Sequence, residues 1–534
     1  MSVKLGEVQS DPKYRLRISL LPSKAQIIAF TSIVIIAIFS LASDFIFLRN
    51  TLPLPAIFSD RLIWELTIAS SSLILILLWL WYAFISPPVL TSNSSNRFFQ
   101  VIQKIIINGD KQQMGNLADE LARSSTSLIK GSYGVEELRR TEDKNINKHR
   151  LNCYWILSLL SNARFCHTLA LTKSHTLITL LQEVVRQKRF DAPIYSLVEN
   201  VTTELINTHD SLLYQENKDF ARDYLGQAKY LTRILFSEIV EHSRDASPLR
   251  ISLWKNSHWE SQHFGLYLSC ALEYAKYATD NKAINYNRTI SGLLSDLEHA
   301  DWDFQSEQYR KDKLYQKNMD QTLWIVIKFI DDLLSLMDEK FPSGTGFVSH
   351  KYDALRVSHH SIHYNIAECI YKLMRETGLA INKEDDFHQW CLCHNTVWSL
   401  FSRLKKGGPH RRLIAKTLRR MIYKEIHDGV MFPNYVIAPV VGFCLNVCGF
   451  ELERGHKKTL DHNTIIRYFL VPFIKKNFRS LHMSHTKVTS TMLQGTIYYD
   501  SHSNQLIRES AESLNGTKST ETLEIDGPPK GQFY

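Results

Sequence analysis

Two long apolar stretches near the amino terminus constrain this chain more than anything else in it. A helix needs about 20 consecutive, mainly apolar residues to cross the hydrocarbon core of a bilayer. Residues 25–42 (AQIIAFTSIVIIAIFSLA) and 62–85 (LIWELTIASSSLILILLWLWYAFI) are each about that long, and the only acid in either is Glu65, near the start of the second. Trp79, Trp81 and Tyr82 stand at the far end of the second stretch, where amphipathic rings favour the membrane interface. Pro87 and Pro88 then stop the helix, because proline has no backbone N–H to continue the hydrogen-bond ladder. The connection from Arg49 to Arg61 is short, so the two helices must run as antiparallel neighbours.

A cleaved signal peptide fits this pattern poorly. The second apolar stretch follows too closely, and Ser43 leads into Asp44, Phe45, Ile46 and Phe47 rather than into a small-residue cleavage site. Lys4, Lys13, Arg15, Arg17 and Lys24 precede the first stretch, Arg49 and Arg61 bound the connection, and Arg97, Lys104 and Lys111 follow the second. This bias of positive charge predicts a multi-pass membrane protein with both termini in the cytoplasm. Neither stretch carries a charge at its middle, where ion and proton paths usually place one. Thr31, Ser32, Ser40, Thr67 and Ser70–Ser72 could pack helices together or line water. Simple anchoring is the plainer reading, and an oligomeric pore is the alternative.

The rest of the chain reads as helix. Glycine (21) and proline (15) are scarce for 534 residues, which argues against an all-β fold with many turns. Leu323, Ile327, Ile330, Leu334 and Met337 step by four and three, as one face of a helix does. Leu177, Leu180, Leu181 and Val184 repeat the pattern toward Lys188, and so do Leu231, Ile234, Leu235 and Ile239. No glycine-rich strand-to-helix turn appears, so a nucleotide-binding α/β sheet is not expected. The uncharged run 436–450 is too short to span a bilayer and reads as a buried core segment, with a dip into the membrane interface as the alternative. Only 485–501 has strand character, as one small hairpin around Gly495.

The expected fold class is therefore mainly α: a two-helix transmembrane hairpin followed by a large, irregular, all-helical cytoplasmic domain with one small β-hairpin near the carboxyl terminus. The boundaries run 1–24 for a basic segment, 25–88 for the hairpin, 89–500 for the helical domain with a subdivision near 341–346, and 501–534 for a polar, disordered tail. The charged segment 139–150 and the loop 405–410 are further candidate edges. The eight cysteines are expected as free thiols in a reducing compartment.

Candidate sites are short-range patterns. His359 and His363 lie four apart, and His388, Cys391 and His394 step by three. Each set shares a helical face, and together they could hold zinc between two helices. No paired C-x-x-C signature accompanies them, so packed thiols and hydrogen-bonded histidines are the bland alternative. Asp301, Asp303, Asp331, Asp332 and the run Glu384–Asp386 could hold a divalent metal for phosphoryl chemistry, but they read as helix surface. The pairs His209–Asp210 and His427–Asp428 are unremarkable in a chain with 21 histidines. Arg403 and His410 would suit a helical ribonuclease, but Gly407, Gly408 and Pro409 break the helix between them.

After that break, Ile414, Leu418, Met421, Ile422 and Ile426 trace an apolar face, with Arg412, Lys416, Arg419, Arg420 and Lys424 roughly opposite. Such a helix can rest on anionic lipid, bind nucleic acid or dock on an acidic partner. The net charge of +9 favours anionic lipid or an acidic partner. Nucleic acid has no motif to support it.

The leading expectation is a membrane-tethered helical scaffold or sensor without catalytic activity, bound to the bilayer and to a protein partner or to copies of itself. The alternatives are an effector whose assembled hairpins permeabilise the membrane, and a metal-dependent hydrolase or nuclease.

Overall fold

The computed structural model describes residues 12–21, 23–49, 61–81, 89–142, 145–217, 229–242, 247–250, 259–281, 287–298, 302, 311–341, 361–379, 387–431, 438–451, 462–509 and 520–527. The protein is mainly α-helical, with a small three-stranded antiparallel sheet near the carboxyl terminus. The chain forms two compact units, Met1–Pro248 and Leu249–Tyr534. Of the segment 341–346, where a subdivision is expected, all but Phe341 lies outside the described residues.

The first unit begins with α1 (Pro12–Leu20), α2 (Ser23–Arg49) and α3 (Arg61–Leu80). Next come α4 (Ser95–Asn108), α5 (Lys111–Gly131), α6 (Val135–Arg140), α7 (Lys148–Leu159), α8 (Ala163–Thr172), α9 (Ser174–Arg186), α10 (Tyr195–Asn207) and α11 (Leu212–Asn217). Helix starts follow local capping chemistry. Asp110 and Gln113 exchange side-chain and backbone bonds in a capping box on α5, and the Asn147 and Asn162 side chains cap α7 and α8. The apolar periodicity is met: Leu177, Leu180, Leu181 and Val184 of α9 are all buried. Leu231, Ile234, Leu235 and Ile239 are buried too, but Tyr230–Arg233 opens into a π-helical turn over Ile234–Ile239 before Val240–His242.

Helices α2 and α3 pack against each other. Ala29, Ser32, Ile36 and Ser40 on one, and Trp64, Ile68, Ser72 and Leu75 on the other, are the half-covered positions, spaced by three and four as a helix–helix seam requires. The other large apolar side chains of both helices point outward; Phe30 is 70% exposed and Leu62 73%. Side chains are placed over residues 27–42 and 62–78 of these helices. Among the described residues no helix is long and apolar enough to cross a membrane. Pro87, Pro88, Tyr82 and the connection 50–60 lie outside the described residues.

Helix α1 folds back onto α4 and α5. Its Leu16 and Leu20, with Leu21 after it, are buried. Arg17 Nε donates to Glu120 Oε1 of α5 (2.7 Å), with both side chains almost wholly covered. Arg97 Nε of α4 donates to the Ser19 carbonyl (2.6 Å). The segments before α2 and after α3 therefore belong to one folded layer.

The second unit contains α13 (Ser261–Asp280), α14 (Arg288–Glu298), α15 (Lys313–Lys340), α16 (Ile362–Leu379), α17 (Phe387–Lys406), α18 (Pro409–Met431), α19 (Ala438–Cys448), α20 (His462–Ser484) and α21 (Thr486–Met492), counting the π-bearing segment 230–242 of the first unit as α12. Leu323, Ile327, Ile330, Leu334 and Met337 are all buried on α15. Helix α19 is the uncharged run of the sequence, and it lies in the core against α16, α20 and α21. The approach to α21 is close: a Cβ on Gly442 would sit 2.6 Å from the Met492 carbonyl oxygen.

The sheet runs β1 (Ile497–Asp500), β2 (Gln505–Glu509), β3 (Thr520–Glu524), in that spatial order. This differs from the expected hairpin around Gly495. Gly495 (φ +65°) instead follows α21, and the β1–β2 turn occupies 501–504, with Asn504 at φ +53°. Residues read as the start of a disordered tail form β2 and β3. Their composition is polar because the sheet needs few apolar contacts: Ile497 and Leu506 are its buried side chains, with Ile525 just after β3. Arg508 adds a bond to the Asn446 carbonyl at the end of α19 (2.7 Å) and an ion pair to Glu521 (3.1 Å).

Candidate functional site

The zinc ligands predicted from spacing do not come together among the described side chains. His359 lies outside the described residues. His388, Cys391 and His394 fall on α17, within a stretch whose side chains are not described. Among the described residues no group of three or more His, Cys, Asp or Glu side chains could hold a metal ion. The seven described cysteines are buried and form no disulfide. Burial pushes the thiols of Cys153, Cys166 and Cys444 up to about 12, so they are un-ionised and poor nucleophiles or ligands.

His363 has a different role. It is buried on α16 and stacks on His410 at the start of α18, with the rings 5.2 Å apart and nearly parallel. His363 Nε2 and His410 Nδ1 are 2.9 Å apart, and His410 Nε2 is 3.1 Å from the Phe341 carbonyl oxygen. The carbonyl can only accept, so His410 carries its proton on Nε2. Its Nδ1 then accepts from His363 Nε2–H. Burial, and secondarily the neighbouring His410, pushes His363 down to about 3. Burial also lowers His410, against the raising effects of the Phe341 carbonyl and Asp338. Both rings are therefore neutral at neutral pH.

This pair sits beside an ionic junction. Arg411 ion-pairs with Asp331 and Asp338 of α15 and donates to Ser335 Oγ (2.7 Å), and Arg403 of α17 reaches Asp331 at 2.9 Å. Asp338 also caps the first turn of α18 from a separate helix. Gly408 permits this, since a Cβ there would lie 2.4 Å from Asp338 Oδ1. Arg403 and His410, which the sequence left on either side of a helix break, are thus joined through α15. The arrangement does not present them to a substrate, because His410 is only 2% exposed and its donor is spent on a carbonyl that cannot take up a proton. It is a buried polar clamp holding α15, α16, α17 and α18 in register.

A second group escaped sequence reasoning. On the first unit His167 Nδ1 lies 2.8 Å from Glu204 Oε2, in a cleft of about 350 Å³ that Lys111, Met114 and Arg164 also line. The partners are 37 residues apart on α8 and α10, and no short-range spacing signals the pairing. Arg164 is committed to the carbonyls that end α4, with Gly109 at 2.8 Å. The dyad orients an imidazole, and the one hydroxyl lining the cleft, Thr168 Oγ1, donates to the Arg164 carbonyl (3.0 Å).

The acids weighed for phosphoryl chemistry also disperse. Asp331 is tied to two arginines. Asp301, Asp303 and Glu384–Asp386 lie outside the described residues.

The basic face of α18 forms as its spacing predicts. Arg412, Lys416 and Lys424 are exposed and Arg419 and Arg420 half-covered, while Ile414, Leu418, Ile422 and Ile426 are buried. Met421 is half-covered, at the border of the apolar face. Partial burial, with Arg420 alongside, holds Arg419 below the usual guanidinium range. No known protein family, curated protein or solved structure matches the chain.

Proposed function

We propose that the protein is a membrane-anchored helical scaffold, held at the cytoplasmic face by the α2–α3 hairpin and binding a protein partner or further copies of itself through its helical surfaces. The observation that carries this reading is the inversion of α2 and α3. The other long helices of the unit bury most of their large apolar residues, with single exceptions such as Ile107 and Trp155, whereas these two turn most of theirs out. Exposing a side chain the size of leucine or phenylalanine to water forgoes about 1.5–3 kcal/mol. More than a dozen such residues on one hairpin favour lipid as the surrounding medium. The docking of α1 onto α4 and α5 supports the topology, since it puts both ends of the hairpin on the same side.

The test is extraction and topology. The full-length protein should stay with membranes through alkaline carbonate, and deletion of residues 25–85 should release it. A cytoplasm-active reporter should work at Met1 and at Tyr534, and an outside-active reporter only near Pro55. Release of the intact protein by carbonate, or outside activity at Tyr534, overturns the proposal.

The hydroxyls of Thr67, Ser70 and Ser71, exposed on α3 away from its seam with α2, favour a second reading in which hairpins associate and open a path. Dye entry into cells on overexpression, lost on deleting 25–85, selects it over plain anchoring.

A further inference from the structure

We infer that the outer surface shared by α18 and α20 is a second membrane contact, which lays the second unit on anionic lipid headgroups. The inference rests on the anchored reading above, since the hairpin keeps the unit within reach of a bilayer. Arg412, Lys416, Arg419, Tyr423 and Lys424 project within one sector of α18 at a period of 3.6 residues. Glu425 lies outside that sector, on the side from which it acts on Tyr364 and Tyr371 of α16.

Helix α20 extends the surface. Tyr423 packs edge-on against Phe469, 5.5 Å between ring centres, and so joins the two helices. On α20, Tyr468, Pro472, Lys476, Arg479 and Met483 recur at helical spacing on the side opposite the buried Ile466, Leu470, Ile474, Phe478 and Leu481. Tyr423 is 53% exposed, Tyr468 50% and Met483 72%.

Cations interleaved with exposed tyrosine and methionine match the chemistry of a bilayer interface. Lysine and arginine meet anionic headgroups, tyrosine sits at headgroup level, and an apolar side chain enters the acyl boundary. Exposed methionine and proline add nothing to a phosphate backbone, so lipid is favoured over nucleic acid.

Full-length protein carrying Met483→Cys, labelled with an environment-sensitive fluorophore, tests this directly. The described native cysteines are buried, and Cys391 is replaced by Ser in the labelled protein, so that the new thiol is the one that reacts readily. The protein is reconstituted in vesicles of neutral phosphatidylcholine, with or without about 30 mol% phosphatidylserine. A blue shift is expected only with phosphatidylserine, and it should be reversed by about 0.5 M salt. Adding Arg412→Gln, Lys416→Gln, Lys424→Gln and Lys476→Gln should move the docked–undocked balance toward undocked by roughly a hundredfold or more. The circular dichroism melt should stay unchanged. No shift with phosphatidylserine, or an equal shift without it, overturns the inference. A shift caused by single-stranded RNA in neutral vesicles also overturns it, and assigns the face to nucleic acid. Carbonate extraction of the same samples reports on the hairpin separately, so failure of the anchor and failure of this contact are distinguished.

Discussion

Helix α19 and the α2–α3 hairpin have nearly the same composition and opposite fates. Both are long apolar runs with almost no charge. Ten of the eleven residues of α19 are buried, and the hairpin's large side chains are exposed outside one narrow seam. The difference is one of available partners. Helix α19 is 11 residues long, about 16 Å, and three other helices surround it. Helix α2 runs 27 residues, about 40 Å, and among its described side chains, 27–42, only the positions facing α3 are half-covered. Apolarity supplies the drive to leave water, and neighbouring helices decide whether protein satisfies it.

The largest effect that would break this comparison comes from truncating one aromatic in each region. Phe443→Ala in α19 should cost about 3–5 kcal/mol, because it empties a fully covered site. Phe30→Ala in α2 should change the stability of the folded units by less than about 0.5 kcal/mol. Denaturant unfolding in detergent reads both, and equal losses would mean that α2 is packed in protein after all.

Nearly as large is the effect of undoing the junction beneath the hairpin. Arg17→Met leaves Glu120 covered and without its closest cation, with Arg123 Nη1 at 3.9 Å a weak substitute. A loss of about 3 kcal/mol is expected. The double variant Arg17→Met, Glu120→Leu should recover most of it. Protease sensitivity around residues 12–21 should rise in the single variant only.

Around α19 the interior also titrates. The unfolded chain takes up a proton at His363 near pH 6.5, and burial makes the folded protein refuse it until about pH 3. The native state therefore binds fewer protons through that window. Stability is full above about pH 6.5 and falls as the pH drops toward 3, by about 1.4 kcal/mol per pH unit for this ring. Between pH 7 and pH 5 the loss should reach about 2 kcal/mol, and His363→Gln should flatten the profile. An unchanged slope in that variant would place the titration elsewhere.

The smallest effect sharpens what covered means inside these helices. The Tyr267 hydroxyl is fully buried and, among the described residues, without a hydrogen-bond partner. Tyr267→Phe should therefore leave stability unchanged or raise it by about 1 kcal/mol. A clear loss in thermal melts would reveal an ordered water at that hydroxyl.

Much of the fold was legible in the chain. The three periodic stretches all became helices with the expected residues buried, because a spacing of three and four fixes one face whatever lies opposite. The 436–450 run became a core helix for the reason its length suggested. The sheet was half legible: strand character near 497 was visible, but β2 and β3 are too polar to separate from a tail. Their pairing depends on a turn at Asn504 and on contacts with α19 that lie more than fifty residues away in sequence.

The sequence by itself determined the helical class, the two apolar helices joined by a short connection, and the basic face of α18. Each depends on residues within a few turns of one another, where backbone geometry converts spacing into position. Tertiary structure alone decided that α1 returns to α5, that His363 meets His410, that Arg403 and Arg411 share Asp331, and that His167 finds Glu204. Those partners are 8 to 103 residues apart in the chain. Except for the nearby Arg403 and Arg411, joined through an aspartate on another helix, no local period links them. They meet because buried polar groups must find partners once apolar faces have fixed where the helices lie.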